Sequence, residues 1–141
     1  MSTDGRFLAG IDHSLKQVVW LDRADSSSQT WAAHDDEMTA ARFSPDGSQR
    51  ATCSQDRTVR VWNLQTQLCT SGPFGHTSPV EDVEFSEDGR FLLSWSEDAT
   101  VSVWDLHSNS LAAPPFSGAG NVLARFRPGH PEEVVVLTSE G

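Results

Sequence analysis

The chain contains a single lysine, Lys16, and its 141 residues carry 20 acidic side chains against 10 basic ones. A formal net charge of -10 excludes bulk binding to phosphate backbones, which needs clustered positive charge. It also disfavours adhesion to an anionic membrane surface. It leaves protein partners open. Cysteine is scarce as well: Cys53 and Cys69 alone cannot make a disulfide scaffold, and their separation is not that of a zinc ligand pair. No apolar run approaches the length of a membrane span. The opening MSTDGRF lacks the apolar centre of a signal peptide. The expected location is therefore cytoplasmic by default, with the nucleus also open. No window reads as a long amphipathic helix. Glycine-rich phosphate loops are absent too, so no cofactor is expected.

What the chain does have is a repeat. Trp20, Trp62 and Trp104 recur at intervals of 42 residues. The same offset matches His34 with His76, Phe43 with Phe85, Asp56 with Asp98, Thr58 with Thr100 and Val61 with Val103. It also matches SPDG at Ser44 to Gly47 with SEDG at Ser86 to Gly89. Such a period is the mark of stacked structural units. Each unit reads as short strands. Thr39 to Phe43 closes on Ser-Pro-Asp-Gly, where proline presets φ and glycine accepts a positive one. Gln49 to Ser54 follows, then Thr58 to Asn63 with period-two alternation, then a weaker run from Leu68 to Ser71. The unit is expected to be a four-stranded antiparallel meander. The expected division is an incomplete first unit over 1–32, whole units over 33–74 and 75–117, and an incomplete fourth over 118–141.

This pattern resembles the WD repeat of β-propellers: a histidine after the outer strand, a turn aspartate, and Trp-Asp ending the third strand. His34, Asp56 and Trp62 fit it, as do His76, Asp98 and Trp104, although only Trp104-Asp105 has the full dipeptide. The resemblance implies an all-β, partial propeller of about three blades. More finely, SGPFGHTSPV followed by VEFSEDG is similar to repeats of fungal NACHT-type NTPases and of bacterial repeat-rich signalling proteins. Nothing in the chain is similar to the NTPase portion. The family also implies a structural hydrogen-bond network in each blade. It would join His34, Ser54, Asp56 and Trp62, and then His76, Ser96, Asp98 and Trp104. A buried imidazole needs partners for both nitrogens. A turn carboxylate can satisfy one, and the serine hydroxyl can link to the indole N–H. The ends depart from the pattern: Ser14 stands where the turn aspartate is due, and Gly118 where the third histidine is due.

Catalysis is not expected. His34, Ser54 and Asp56 are the residue types of a nucleophile triad. They recur one period later, each time with a tryptophan, as core networks do and active sites rarely do. Asp12-His13-Ser14 is contiguous and reads as a turn. The remaining histidines, His13, His107 and His130, are scattered, so no metal is expected. Asp35-Asp36-Glu37 reads as a solvated loop and lacks the alternating ligand spacing of a calcium loop.

The expected function is therefore binding: a non-catalytic protein-interaction scaffold, or the non-catalytic portion of a larger signalling NTPase or enzyme. Candidate partner-binding residues lie before each first strand, at Asp35, Asp36, Glu37, Ser78 and Pro79. Others lie in the turns after the second strands, at Arg57 and Glu97. Trp95 is either a packing residue or an aromatic anchor for a partner. About thirteen strands are too few to close a ring of four to eight blades. Three readings follow: a piece of a longer propeller, an arc that closes against another arc by self-association or otherwise, or a fragment with no independent role.

Overall fold

Two turns of the same design set the frame of the central sheets. At Ser44 the backbone N–H donates to Gln49 O at 2.9 Å, and Gly47 N–H donates to Ser44 O at 3.0 Å with φ of 72° at the glycine. Asp46 accepts from the Ser44 and Ser48 hydroxyls at 2.6 and 2.7 Å, which locks the turn. Ser86, Asp88 and Gly89 repeat the arrangement, with Gly89 at the same φ of 72°. Only glycine takes that φ without steric cost.

In the computed structural model, residues 5, 7–12 and 17–139 are described. Asp4, His13, Ser14 and Lys16 lie outside them. The described residues form fourteen strands in four antiparallel sheets and no helix. The first sheet holds β1 (Phe7–Asp12), β2 (Gln17–Asp22) and β3 (Ser27–Ala32). The second is β4 (Met38–Phe43), β5 (Gln49–Ser54), β6 (Thr58–Asn63) and β7 (Cys69–Gly75), each strand pairing with the next. The third is β8 (Val80–Phe85), β9 (Phe91–Ser96) and β10 (Thr100–Asp105), with an outer edge split into β11 (Ser110–Leu111) and β12 (Phe116–Ser117). The fourth is the pair β13 (Val122–Arg127) and β14 (His130–Thr138). The expected weak outer strand at Leu68 to Ser71 is longer than its sequence suggests, and it carries on through Pro73 to Gly75. Its counterpart is interrupted at Pro114 and Pro115, which donate no backbone hydrogen bond and suit an outer edge.

The sheets stack side by side in chain order. β1 packs on β4, β4 and β5 pack on β8, and β9 and β10 pack on β13. Apolar clusters fill two of the gaps between these sheets. Ala51, Val59, Val61, Phe74, Val83, Leu92 and Trp104 lie between the second and third sheets. Leu93, Trp95, Val101, Val122, Ala124 and Phe126 lie between the third and fourth. Because β5 and β9 are each covered on both sides, every residue after the first in each is buried. On β13 only alternate residues are buried, because one of its faces is uncovered. The result is an unclosed arc of propeller type, with the fourth sheet exposed on one side.

Several turns hold a non-glycine residue at positive φ, and two of them share one design. Arg57 and Ala99 hold φ of 70° and 62°, left-handed values that disfavour any residue with a Cβ. Each closes a hairpin whose first backbone bond runs back to a buried serine, from Arg57 N–H to Ser54 O and from Ala99 N–H to Ser96 O. Ala99→Gly is expected to stabilise the protein by about 1 kcal/mol. The midpoint of urea unfolding checks this, and a lower midpoint would contradict it.

Candidate functional site

The two complete sheets each hold one buried polar chain. His34 enters from the segment before β4, and its Nε2 meets Thr52 Oγ1 on β5 at 2.8 Å. Trp62 on β6 donates its indole N–H to the same oxygen at 2.9 Å. On its other side, His34 Nδ1 lies 2.9 Å from Asp56 Oδ2 and 3.1 Å from Thr58 Oγ1. One arrangement satisfies every atom: indole N–H to Thr52, Thr52 O–H to Nε2, and Nδ1–H to the carboxylate. Asp56 also accepts from the Asp35 N–H at 3.1 Å and from the Thr58 N–H and O–H at 2.9 and 2.6 Å. The third sheet repeats the chain. Trp104 donates to Ser94 Oγ at 2.8 Å, and Ser94 lies 2.7 Å from His76 Nε2. His76 Nδ1 meets Thr100 Oγ1 at 3.0 Å and Asp98 Oδ2 at 3.4 Å.

One link differs from the sequence expectation. Ser54 and Ser96 do not reach the indoles. Thr52 and Ser94, two residues earlier and one full turn of the pleat away, do so. Successive side chains alternate between faces, so Ser54 shares a face with Thr52 but sits at the end of the strand. Its hydroxyl donates to the carbonyls of Asp36 and Glu37 at 3.1 and 2.9 Å and accepts the Asp56 N–H at 3.0 Å. Ser96 does the same with Ser78 O at 3.0 Å, Pro79 O at 2.8 Å and Asp98 N–H at 3.2 Å. These serines tie the loop before the first strand to the turn after the second. The triad-like grouping is thereby taken apart: His34 faces a threonine that is itself an acceptor for tryptophan, and Ser54 has no contact with the imidazole.

Burial shapes the titration of this chain. Desolvation pulls both imidazoles below their ordinary range, against the opposing pull of Asp56 on His34 and of Asp98 on His76. Burial pushes Asp98 upward, but bonds from Thr100 and Thr77 and the charge of His76 outweigh it and bring the carboxyl to about 2. Asp56 is likewise pushed up by burial and lowered on balance, by Thr58, His34 and Asp35. Elsewhere, burial pushes the Cys53 thiol up to about 12, so it is not a reactive nucleophile. Among the described residues no group of three or more His, Cys, Asp or Glu side chains is placed to hold a metal ion.

The proposed contact residues gather at one end of the sheets. The Gln55 N–H donates to Glu37 O at 2.8 Å, and the Glu97 N–H to Pro79 O at 3.1 Å, so each loop is stitched to its turn. Asp35 is almost fully solvated, 3.8 Å from Arg60. Asp36 and Glu37 are half-buried, Arg57 and Glu97 are exposed, and Ser78 and Pro79 are half-buried. Trp95 is a correction to that surface set. It is 3% exposed, packed in the cluster between the third and fourth sheets, with the Arg125 guanidinium 5.0 Å from its ring centre. The β13–β14 hairpin covers it, which makes it a packing residue.

Comparison with known proteins agrees with this architecture. The model of the WD domain, G-beta repeat family matches residues 25–63 and 67–105, together more than half of the chain. Periodic tryptophan protein 2 homolog of Caenorhabditis elegans is 40% identical over 74 residues, covering 52% of this chain and 8% of that protein. Target of rapamycin complex subunit wat1 of Schizosaccharomyces pombe is 34% identical over 87 residues, 59% of this chain and 26% of the relative. Notchless protein homolog of Arabidopsis thaliana is 50% identical over 40 residues, 28% and 8% respectively. The chain thus spans about a quarter or less of these relatives. On the repeated network, the sheet topology and the family match, the chain belongs to the WD40 family of WD-domain, G-beta repeat proteins.

Proposed function

We propose that the chain is a non-catalytic protein-interaction module that presents the loop-and-turn end of its stacked sheets to another protein. The observation that carries this reading is the use, among the described residues, of the triad-like side chains as internal ties. His34, Asp56 and their counterparts are spent in holding strands and loops in place. What they hold is a row of solvated side chains, Asp35, Arg57 and Glu97 among them, on a rigid frame. The wat1 relative is a target of rapamycin complex subunit by name. Set within a longer polypeptide, the same module would supply binding while chemistry resides elsewhere.

The test uses a photo-crosslinking residue placed in turn at Asp35, Ser78 and Glu97, and at Asp46 and Asp88 at the opposite end. The expected result is a saturable, discrete adduct from the first three positions only. Asp35→Ala with Arg57→Ala and Glu97→Ala should reduce that adduct at least tenfold without moving the thermal midpoint. An adduct confined to Asp46 and Asp88 would contradict the assignment of the face, and no adduct anywhere would contradict the function.

A further inference from the structure

The chain has two Ser-Pro pairs, Ser44-Pro45 and Ser78-Pro79. They sit at opposite ends of the sheets and in opposite states. Ser44 is 3% exposed. Its hydroxyl lies 2.6 Å from Asp46 Oδ1 and 3.2 Å from Gln49 O, and it accepts the Gln49 N–H at 2.9 Å. Ser78 is half-buried, and its hydroxyl bonds to no other described residue. Its carbonyl, in contrast, accepts from Ser96 Oγ at 3.0 Å, and the Pro79 carbonyl accepts from the same hydroxyl at 2.8 Å. The loop is thus anchored through its backbone and leaves the Ser78 side chain unused. Pro79 also keeps the Ser78 backbone out of the helical region.

The repeat shows that a negative charge fits at this place. Residues 34–38 read HDDEM and residues 76–80 read HTSPV, so Asp36 is the counterpart of Ser78. Asp36 accepts the Glu37 N–H at 2.8 Å. The loop of the second sheet carries three acids, Asp35, Asp36 and Glu37, where that of the third carries Thr77, Ser78 and Pro79.

Between the two loops stands a cation. The Gln55 N–H donates to Glu37 O at 2.8 Å, and Arg57 O accepts the His76 N–H at 2.9 Å. Arg57 is thereby set beside the segment that carries Ser78. Its side chain is exposed and pairs with no other described residue. The third-sheet counterpart is Ala99, so the turn itself does not require a cation. The other charged groups at the loop are Asp98, which accepts the Thr77 N–H at 2.8 Å, and Glu97, whose N–H donates to Pro79 O at 3.1 Å.

We propose that Ser78 is a phosphorylation site for a proline-directed protein kinase, and that the phosphoryl group pairs with Arg57. In the transfer, Ser78 Oγ attacks the γ-phosphorus of a nucleoside triphosphate. The Oγ–P bond forms as the bond to the β–γ bridging oxygen breaks. The diphosphate leaves, and the hydroxyl proton passes to the general base of the kinase. The product carries a charge of about -1.5 to -2 at neutral pH, with three strong acceptor oxygens. It gives the third-sheet loop the sign of its second-sheet counterpart, and it gives the Arg57 guanidinium a bidentate partner. The loop face is the one assigned above to a partner protein, but the modification does not rest on that reading, because its readouts need no partner.

The test treats the chain Met1 to Gly141 with ATP and a recombinant proline-directed serine/threonine kinase, and locates the product by fragment mass spectrometry. One phosphoryl group is expected at Ser78 and none at Ser44, and Ser78→Ala should abolish incorporation. Phosphorus NMR then follows the second ionisation of the phosphate, which without a partner lies at about 6. Arg57→Ala should raise that value by about half a unit, roughly a threefold change in the ionisation constant. Arg57→Lys keeps the charge and should keep most of the shift. Ala99 holds φ of 62° in the equivalent turn, so Arg57→Ala leaves the fold intact. Glu97 and Asp98 remain in every variant, so the difference isolates Arg57. No incorporation at Ser78 in the folded chain, incorporation at Ser44 to an equal extent, or an ionisation unmoved by Arg57→Ala would overturn the proposal.

Discussion

Thr52→Val is expected to lower the stability of the protein by about 2–4 kcal/mol. Valine keeps the shape and removes one oxygen. That oxygen serves two buried partners at once, the Trp62 indole N–H at 2.9 Å and His34 Nε2 at 2.8 Å. A buried polar atom left without its bond costs about 1–3 kcal/mol, and here two are stranded. Linked bonds in a dry interior also reinforce one another, so the loss falls at the upper end. At about 2–4 °C per kcal/mol, the thermal midpoint should drop by roughly 10 °C. Ser94→Ala should do the same in the third sheet, where Ser94 serves Trp104 and His76. Urea unfolding followed by tryptophan fluorescence measures both. A loss under about 1 kcal/mol would show that the hydroxyl is not the hub of the network.

Acid should unfold the protein in two stages, and the signs can be worked out for each group. Burial holds His34 and His76 in the folded protein below the ordinary imidazole value of 6.5. The unfolded imidazoles therefore take up protons first. The stability held by the neutral rings is in place above 6.5 and declines as pH falls below it. Asp98 works lower down. Its folded value of about 2 lies below 3.8, because bonds from Thr100 and Thr77 and the His76 charge overcome the upward push of burial. That contribution is complete above 3.8 and is lost between 3.8 and about 2. With its side chain only 7% exposed, the group contributes about 2 kcal/mol at neutral pH. The thermal midpoint should be level from pH 8 to 7, fall below 6.5, and fall again below 4. Replacing both histidines by glutamine should remove the first decline and keep the second. A midpoint constant from pH 8 to 4 would contradict the buried neutral imidazoles.

The fold was legible because the repeat writes each unit twice. Proline and glycine at Pro45 and Gly47 announce a turn, and Thr58 to Asn63 alternates as a half-buried strand must. The network was legible in its members that are identical in both units, His34 and His76, Asp56 and Asp98, Trp62 and Trp104. The linking hydroxyl was not, for a specific reason. Ser54 and Ser96 are identical and drew the role, whereas Thr52 and Ser94 share only their chemistry. Matching by hydroxyl, not by residue name, would have found them. Trp95 was ambiguous because its burial depends on the β13–β14 hairpin. That hairpin comes from the least regular part of the repeat, where one residue of slippage hides the pairing of Ala124 with Val136. The broken outer strand of the third sheet was invisible for a related reason. Edge strands are set by what they pair with, here β10 at two separate places, and hardly by their own pattern.

Hydrogen exchange at the indole nitrogens tests the repeated network most directly. In a proton–nitrogen spectrum of the labelled protein, the Trp62 and Trp104 indole protons should exchange slowly, held by Thr52 and Ser94. Thr52→Val should speed exchange at Trp62 and leave Trp104 protected, and Ser94→Ala should do the reverse. Fast exchange at both indoles in the unaltered protein, or no response of Trp62 to Thr52→Val, would contradict a fold organised around these two polar chains.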